Sequence, residues 1–215
     1  MKKLILIIAG IVIMRLASIA QNTTGELENT VARLDRANDL PDLQLLASRF
    51  RRIAEARKTN WLSWYYAALC NAKIGSLNDD DRNDIEPYKA KANEEIQWAL
   101  ALLDTTQKKE LSEVYCVLSI INRDIVYMNP VTYKREYGPA ASKYMRLAVQ
   151  ANPENPRALY LDGWEKFAIP IKSGGDKTAA KKLLISAKQK LNTNESFSVD
   201  PHWGKAEVDA ILKQL

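Results

Sequence analysis

Apolar residues recur along the chain from residue 26 onward with the spacing of amphipathic α-helices. One face of a helix returns every three to four residues, and polar or proline-containing breaks separate successive stripes. No run alternates apolar and polar residues in the way that a half-buried β-strand requires. The predicted helices cover approximately 26–34, 43–58, 61–74, 86–103, 108–128, 139–151, 156–168, 176–191 and 205–215. The pattern therefore predicts an all-α fold.

Three of the predicted helices share one arrangement of small and bulky residues. In each, an alanine is followed four residues later by a bulky residue and seven residues later by a second alanine. The three copies are Ala92/Ile96/Ala99, Ala141/Met145/Ala148 and Ala180/Leu184/Ala187. Offsets of four and seven return to the same face, so the alanines let a neighbouring helix approach closely. An aromatic-bearing helix precedes each copy, which predicts stacked antiparallel helix pairs.

The last of these pairs resembles a tetratricopeptide repeat (TPR). Asn155-Pro156 opens a helix with Leu159 and Gly163 at the family's bulky and glycine positions, and Ala180/Leu184/Ala187 match the second helix. The whole chain is similar to exported TPR-containing proteins of Bacteroidetes in its aromatic helix 61–68, its junction 137–141 and its segment 201–205. The matching alanines are 49 and 39 residues apart, against 34 in the family repeat. The resemblance implies a TPR-like α-solenoid of about three irregular repeats over 61–200, with N-terminal helices in 21–60 and a capping helix in 201–215.

Residues 1–20 have the composition of a bacterial signal peptide. Lys2 and Lys3 precede the apolar run Leu4–Met14, and Ser18 and Ala20 place small residues before a cut at Gln21. An uncleaved membrane anchor is the alternative, but a run of this length crosses only about half of a bilayer core. We expect cleavage near Ala20 and an exported chain, periplasmic or secreted. No later window approaches the roughly 18 apolar residues of a membrane-spanning helix, so we expect no stable membrane insertion.

Charge and cysteine content exclude further classes of protein. The chain has 31 basic and 26 acidic residues, but three of the basic ones lie in the predicted leader. The remaining surplus is too small for a nucleic-acid-binding protein. Two cysteines are too few for a disulfide scaffold. The TPR register separates Cys70 and Cys116 by roughly 12 Å along the helix axis, which predicts free, largely buried thiols.

No cluster of residues predicts catalysis, a metal ion or a cofactor. The single histidine, His202, is interpreted as part of a cap over the last helix pair. Asp79–Asp84 begins like a calcium loop, but the sixth and twelfth loop positions lack the required glycine and glutamate. The segment 173–178 lacks the first glycine and the strand of a phosphate-binding loop. The basic cluster in 49–58 is interpreted as a solvated face, with a binding patch as the alternative. We therefore predict a protein that is not an enzyme.

The resemblance implies that the chain binds a peptide or a protein in the cell envelope through the first helices of its pairs. The family's groove positions fall on seven residues: Tyr66, Leu69, Arg123, Arg157, Tyr160, Trp164 and Phe167. Aromatic residues and arginine are enriched at recognition surfaces, although packing between helices would also account for the aromatics. Two other functions stay open, namely a structural subunit of an envelope assembly and a glycan-binding helical protein.

Overall fold

The regular structure of the chain is helical throughout residues 25–77, 86–128, 130–193 and 199–215, which are the residues that this computed structural model describes. The helices are α1 (25–34), α2 (Leu40–Ala56), α3 (Trp61–Leu77), α4 (Glu86–Ala101), α5 (Lys108–Met128), α6 (Pro130–Ala151), α7 (Pro156–Ala168), α8 (Lys177–Thr193) and α9 (Lys205–Leu212), with a 3-10 turn at Ile171–Ser173. The predicted all-α class is confirmed. The predicted signal peptide and the Asp79–Asp84 turn lie outside the described residues.

Side-chain caps begin several of these helices where the sequence supplies an acceptor. The Asp39 side chain accepts a hydrogen bond from the backbone N–H of Asp42 at the start of α2. Asn155 caps α7 in the same way, with Pro156 in the first turn. Asp176 accepts from the backbone N–H of Ala179 and caps α8. Each cap satisfies an N–H group that has no partner inside its own helix.

Consecutive helices pack as stacked antiparallel pairs, as the alanine pattern predicts. The pairs are α3/α4, α5/α6 and α7/α8, and the first helices also contact one another, α3 with α5 and α5 with α7. Helix α2 packs on α3, and α9 packs on α8. All nine residues of the three Ala-x3-large-x2-Ala copies are buried. The small side chains bring backbones close enough for the Ser112 hydroxyl to donate to the Ala148 carbonyl at 2.8 Å.

The close approach of α7 and α8 also requires the absence of a side chain at Gly163. A Cβ atom there would lie 3.0 Å from Cγ of Leu184 and 3.3 Å from the Ala180 carbonyl oxygen. Both neighbours belong to the third copy of the alanine pattern. The helices are thus too close for a side chain at position 163, which is also where the TPR resemblance places a glycine.

Helix α6 begins earlier than the apolar pattern predicts. The sequence places its start near Pro139, whereas the helix runs from Pro130 and Pro139 lies inside it. Residues 131–140 are exposed or half-buried, with Val131 96% exposed, so no apolar stripe marks this part of the helix. A proline is also favoured in the first helical turn, which makes Pro139 an attractive but wrong start.

Cys70 and Cys116 are free and fully buried, which confirms the prediction of unpaired thiols. Burial raises the pKa of both thiols, because a thiolate is poorly solvated in the core. Among the described helices, none combines the length and apolar character that crossing a membrane requires.

The helix contact at Ala148 can be tested by enlarging the side chain. Ala148→Leu should lower the free energy of unfolding by about 1–3 kcal/mol, because the fully buried site has no room for three more carbon atoms. The exposed Arg146 on the same helix supplies the control, and Arg146→Leu should change the unfolding free energy by less than about 0.5 kcal/mol. Urea denaturation measures both. Equal midpoints for the two variants would contradict the assigned interface.

Candidate ligand-binding cleft

A cleft of about 550 Å³ opens at the end of the stack where α3, α5 and α7 begin. Trp61, Lys109 and Pro156 line it from the first turns of these three helices. The segment Asp200–His202, which precedes α9, forms another part of the wall. Because the N-terminal ends of three helices meet here, their backbone N–H groups contribute partial positive charge to the cleft.

A buried ion pair lies at this end of the stack. Arg157 Nε and Nη2 donate to Glu113 Oε2 and Oε1, each at 2.7 Å. Arg157 is 5% exposed and Glu113 is 7% exposed. Burial alone would lower the pKa of Arg157, but the charge and hydrogen bonds of Glu113 outweigh burial and raise it. Arg157 is therefore charged, and its two parallel hydrogen bonds to Glu113 fix α7 against α5.

One nitrogen of this guanidinium takes no part in the pair. Arg157 Nη1 is buried and has no hydrogen-bond partner among the described residues. Arg157 also contributes to the lining of the cleft. The cleft wall thus includes a cationic side chain, and one of its nitrogens, Nη1, donates no hydrogen bond to the described residues.

Aromatic side chains extend the ion pair to α3 and to the C-terminal segment. The Tyr65 hydroxyl lies 3.4 Å from Glu113 Oε2, to which it donates, and accepts from Trp203 Nε1 at 2.6 Å. Burial, and then the charge of Glu113, raise the pKa of Tyr65, so its hydroxyl stays neutral and remains a donor. The rings of Tyr160 and Trp203 are perpendicular, with centroids 6.4 Å apart. Through these contacts the Glu113 carboxylate links α3, α5 and α7 to the segment before α9.

Asn155 holds the loop before α7 in place. Its side-chain oxygen accepts from the Arg157 backbone N–H at 2.9 Å, and its amide donates to the Ser112 hydroxyl at 2.9 Å. Asn155 is 1% exposed, so these bonds satisfy a side chain that burial would otherwise penalise. The loop at the cleft is therefore fixed to α5 and not free to swing.

His202 joins the C-terminal segment to the turn after α1. Its Nε2 lies 2.7 Å from Asp35 Oδ1, and its Nδ1 lies 2.7 Å from the Asp200 carbonyl oxygen. Both ring nitrogens are engaged by neighbours within the chain. The Tyr66 hydroxyl donates to the Val199 carbonyl at 2.8 Å and holds the same segment against α3.

The seven predicted partner-binding residues divide between the core and the surface of the described chain. Tyr66, Leu69, Arg157 and Tyr160 are buried, while Arg123, Trp164 and Phe167 are half-buried. The Arg123 guanidinium lies 4.2 Å from the centroid of the Trp164 ring. Burial raises the pKa of Tyr160, and the nearby charge of Arg123 opposes that rise. The structure therefore brings Arg123, Tyr160 and Trp164 together, and it places Arg157 in the ion pair.

Sequence reasoning did not single out as functional Glu113 and Trp61, which line the cleft, or Tyr65, which donates to Glu113. Helical spacing shows which residues of one helix share a face, but it does not show which helix ends meet. The bond between Glu113 and Arg157 spans 44 residues of sequence. The available signal was indirect: an arginine and a glutamate near the starts of two helices predicted to be stacked.

A comparison with solved structures finds a protein of similar fold. No family model matches the sequence, and no curated protein matches it. Among solved structures, the chain is similar to the HusA haemophore from Porphyromonas gingivalis, with a TM-score of 0.75 and 26% sequence identity. The match covers 87% of this chain and 90% of that chain. The similarity therefore extends over nearly the whole helical array, and membership of the TPR family stays a prediction.

The ion pair at the cleft can be tested by removing one charge. Glu113→Gln should lower the free energy of unfolding by about 3 kcal/mol or more, because it leaves Arg157 buried and charged without its partner. Glu110→Gln is the control, since Glu110 lines the same cleft but forms no described ion pair. Its cost should stay below about 0.5 kcal/mol. Denaturant unfolding decides, and a Glu113 variant as stable as the control would show that the pair does not form.

Proposed function

We propose that this chain is an exported, non-enzymatic binding protein that captures a porphyrin-type ligand in the cleft at the start of α3, α5 and α7. The observation that carries the proposal is the similarity to a haemophore, a protein that binds haem, over nearly the whole of both chains. The volume of the cleft, about 550 Å³, also supports the proposal, because sites for small ligands occupy about 300–1,000 Å³.

The chemistry of the cleft lining suits a flat, amphipathic molecule. Trp61, Pro156 and Pro201 offer rigid apolar surface, and an aromatic ring can stack on a macrocycle. Lys109 and Arg157 add cationic groups to the same wall. A porphyrin such as haem combines a large apolar ring with carboxylates at one edge, so the two kinds of surface match two parts of one ligand.

We expect recognition of the porphyrin ring to contribute more than coordination of iron. The described histidine, His202, has both ring nitrogens engaged, and Cys70 and Cys116 are fully buried. Histidine, cysteine, methionine and tyrosine are common axial ligands of haem iron, and of these residue types the described lining of the cleft contains only His202. A metal-free porphyrin should therefore bind with an affinity close to that of haem.

Absorbance and tryptophan fluorescence titrations of the chain with haemin and with protoporphyrin IX test this function. Both porphyrins should bind, with dissociation constants within about tenfold of each other. Trp61→Ala should weaken binding by about thirtyfold, which corresponds to the loss of a central aromatic anchor. Trp98→Ala is the matched control, because Trp98 is 53% exposed and lies outside the cleft lining. The absence of any spectral change with either porphyrin would refute the proposal.

A second candidate function is the binding of a peptide or protein on the face of the first helices. The favouring observation is the pair formed by Arg123 and Trp164, which is stacked and half-exposed. Arginine and tryptophan frequently act as anchors of protein interfaces. Phe167 lies three residues beyond Trp164 on the same helix and is also half-buried. On this proposal, Arg123, Trp164 and Phe167 contact the partner. The other predicted residues are buried and pack behind this surface, namely Tyr66, Leu69, Arg157 and Tyr160.

Truncation of the tryptophan tests this second function. On a binding surface, Trp164→Ala should leave the melting temperature nearly unchanged and abolish capture of the partner from an envelope extract. In a packed core, the same change should cost roughly 3–5 kcal/mol of stability. Thermal unfolding followed by circular dichroism measures the difference. A strongly destabilised variant, or a stable one that still captures every partner, would rule out this stripe as the binding surface.

A further inference from the structure

We infer that the ligand enters the cleft with a carboxylate directed to Nη1 of Arg157, at the meeting point of the N-terminal ends of α3, α5 and α7. This inference rests on the proposed function and deepens it, because it names the chemical group and the side chain that recognise each other. It also predicts an orientation for the ligand, with its carboxylate edge toward Arg157 and its apolar part toward Trp61.

The guanidinium of Arg157 has a donor to offer. Its Nε and Nη2 are both used by Glu113, whereas Nη1 is buried and unpaired among the residues that the structure describes. A buried donor without an acceptor is unfavourable, so an acceptor from a ligand gains a strong site. Nη1 is sealed from water, so the ligand must shift the side chains above it. An apolar ring that binds against Trp61 and Pro156 can supply the energy for that shift.

A single carboxylate suits this position better than a cation or a polyanion. A guanidinium matches the planar geometry of a carboxylate, and the three helix ends favour negative charge. A cation at Nη1 itself would meet the charge of Arg157 and the positive helix ends, which disfavour it at this position. The lining also includes Glu110, Glu154 and Asp200, and of these Glu154 pairs with Lys190. These acidic groups disfavour a densely charged anion such as a phosphate ester.

The ligand itself supplies the cleanest experiment, because the protein stays unchanged. Protoporphyrin IX and its dimethyl ester have the same ring, but the ester has no ionised carboxylate. In identical detergent-containing buffer, the ester should bind the chain at least tenfold more weakly than the acid. Equal affinities would overturn the carboxylate inference and leave the proposed function standing. If neither compound binds, both fail.

Variants then decide which side chain holds the carboxylate. Arg157→Lys keeps a cation beside Glu113 but loses the planar fork, so the ratio between the two affinities should fall to about twofold or less. Arg51→Lys, a change of the same type on α2 outside the cleft lining, should keep the wild-type ratio. Because both affinities are measured on one protein sample, partial unfolding of a variant cancels in the ratio.

The main rival is Lys109, the exposed cation at the mouth of the cleft. If Lys109 holds the carboxylate, the affinity ratio will collapse in Lys109→Ala and persist in Arg157→Lys. That result would overturn the assignment to Arg157. If Arg157→Lys does not fold, as judged by circular dichroism, the affinity ratio of the wild type is compared with that of Lys109→Ala. A ratio that persists in Lys109→Ala supports Arg157, and a ratio that collapses overturns the assignment.

Discussion

Glu113 and Arg157 face each other near the starts of α5 and α7, and both are almost completely removed from water. Neither charge could stay buried without the other, so the two helices have to meet at a fixed distance and angle. Tyr65 brings α3 to the same carboxylate, and Trp203 brings the chain end to Tyr65. Replacing such a pair by apolar residues often costs little stability, so its main contribution here is to define one geometry among several similar helix packings.

The cleft of the proposed function lies at the ends of the helices and not along their faces. Repeat arrays of stacked helices commonly present an extended concave surface, and the sequence resemblance implies one here. The cleft instead combines residues from the starts of α3, α5 and α7 with the segment before α9. The Asn155 cap and the ion pair hold the start of α7 in place, so ligand binding does not have to order this part of the backbone.

The sequence predicted the helix pairs well because packing between neighbours leaves a local, periodic pattern. Ala180, Leu184 and Ala187 sit at a contact whose spacing is visible within one helix. The predicted start of α6 was wrong because residues 131–140 are not buried and therefore leave no apolar stripe. Arg157 shows the limit for a site: its spacing from Tyr160 and Trp164 predicts a shared face, but only Glu113, on another helix, turns that arginine inward.

The C-terminal segment returns across the stack, and this affects how the chain can fold. Bonds from Tyr66 to Val199, from Tyr65 to Trp203 and from Asp35 to His202 span 133, 138 and 167 residues of sequence. In an open repeat array each unit contacts only its neighbours, so folding can begin anywhere and units can be added or lost. Here residues 199–203 bond to α3 and to the turn after α1, so these contacts form only after all the helices between them have been synthesised. The number of helix pairs is therefore fixed. A duplicated or deleted pair would separate the two parts of the chain that these bonds join.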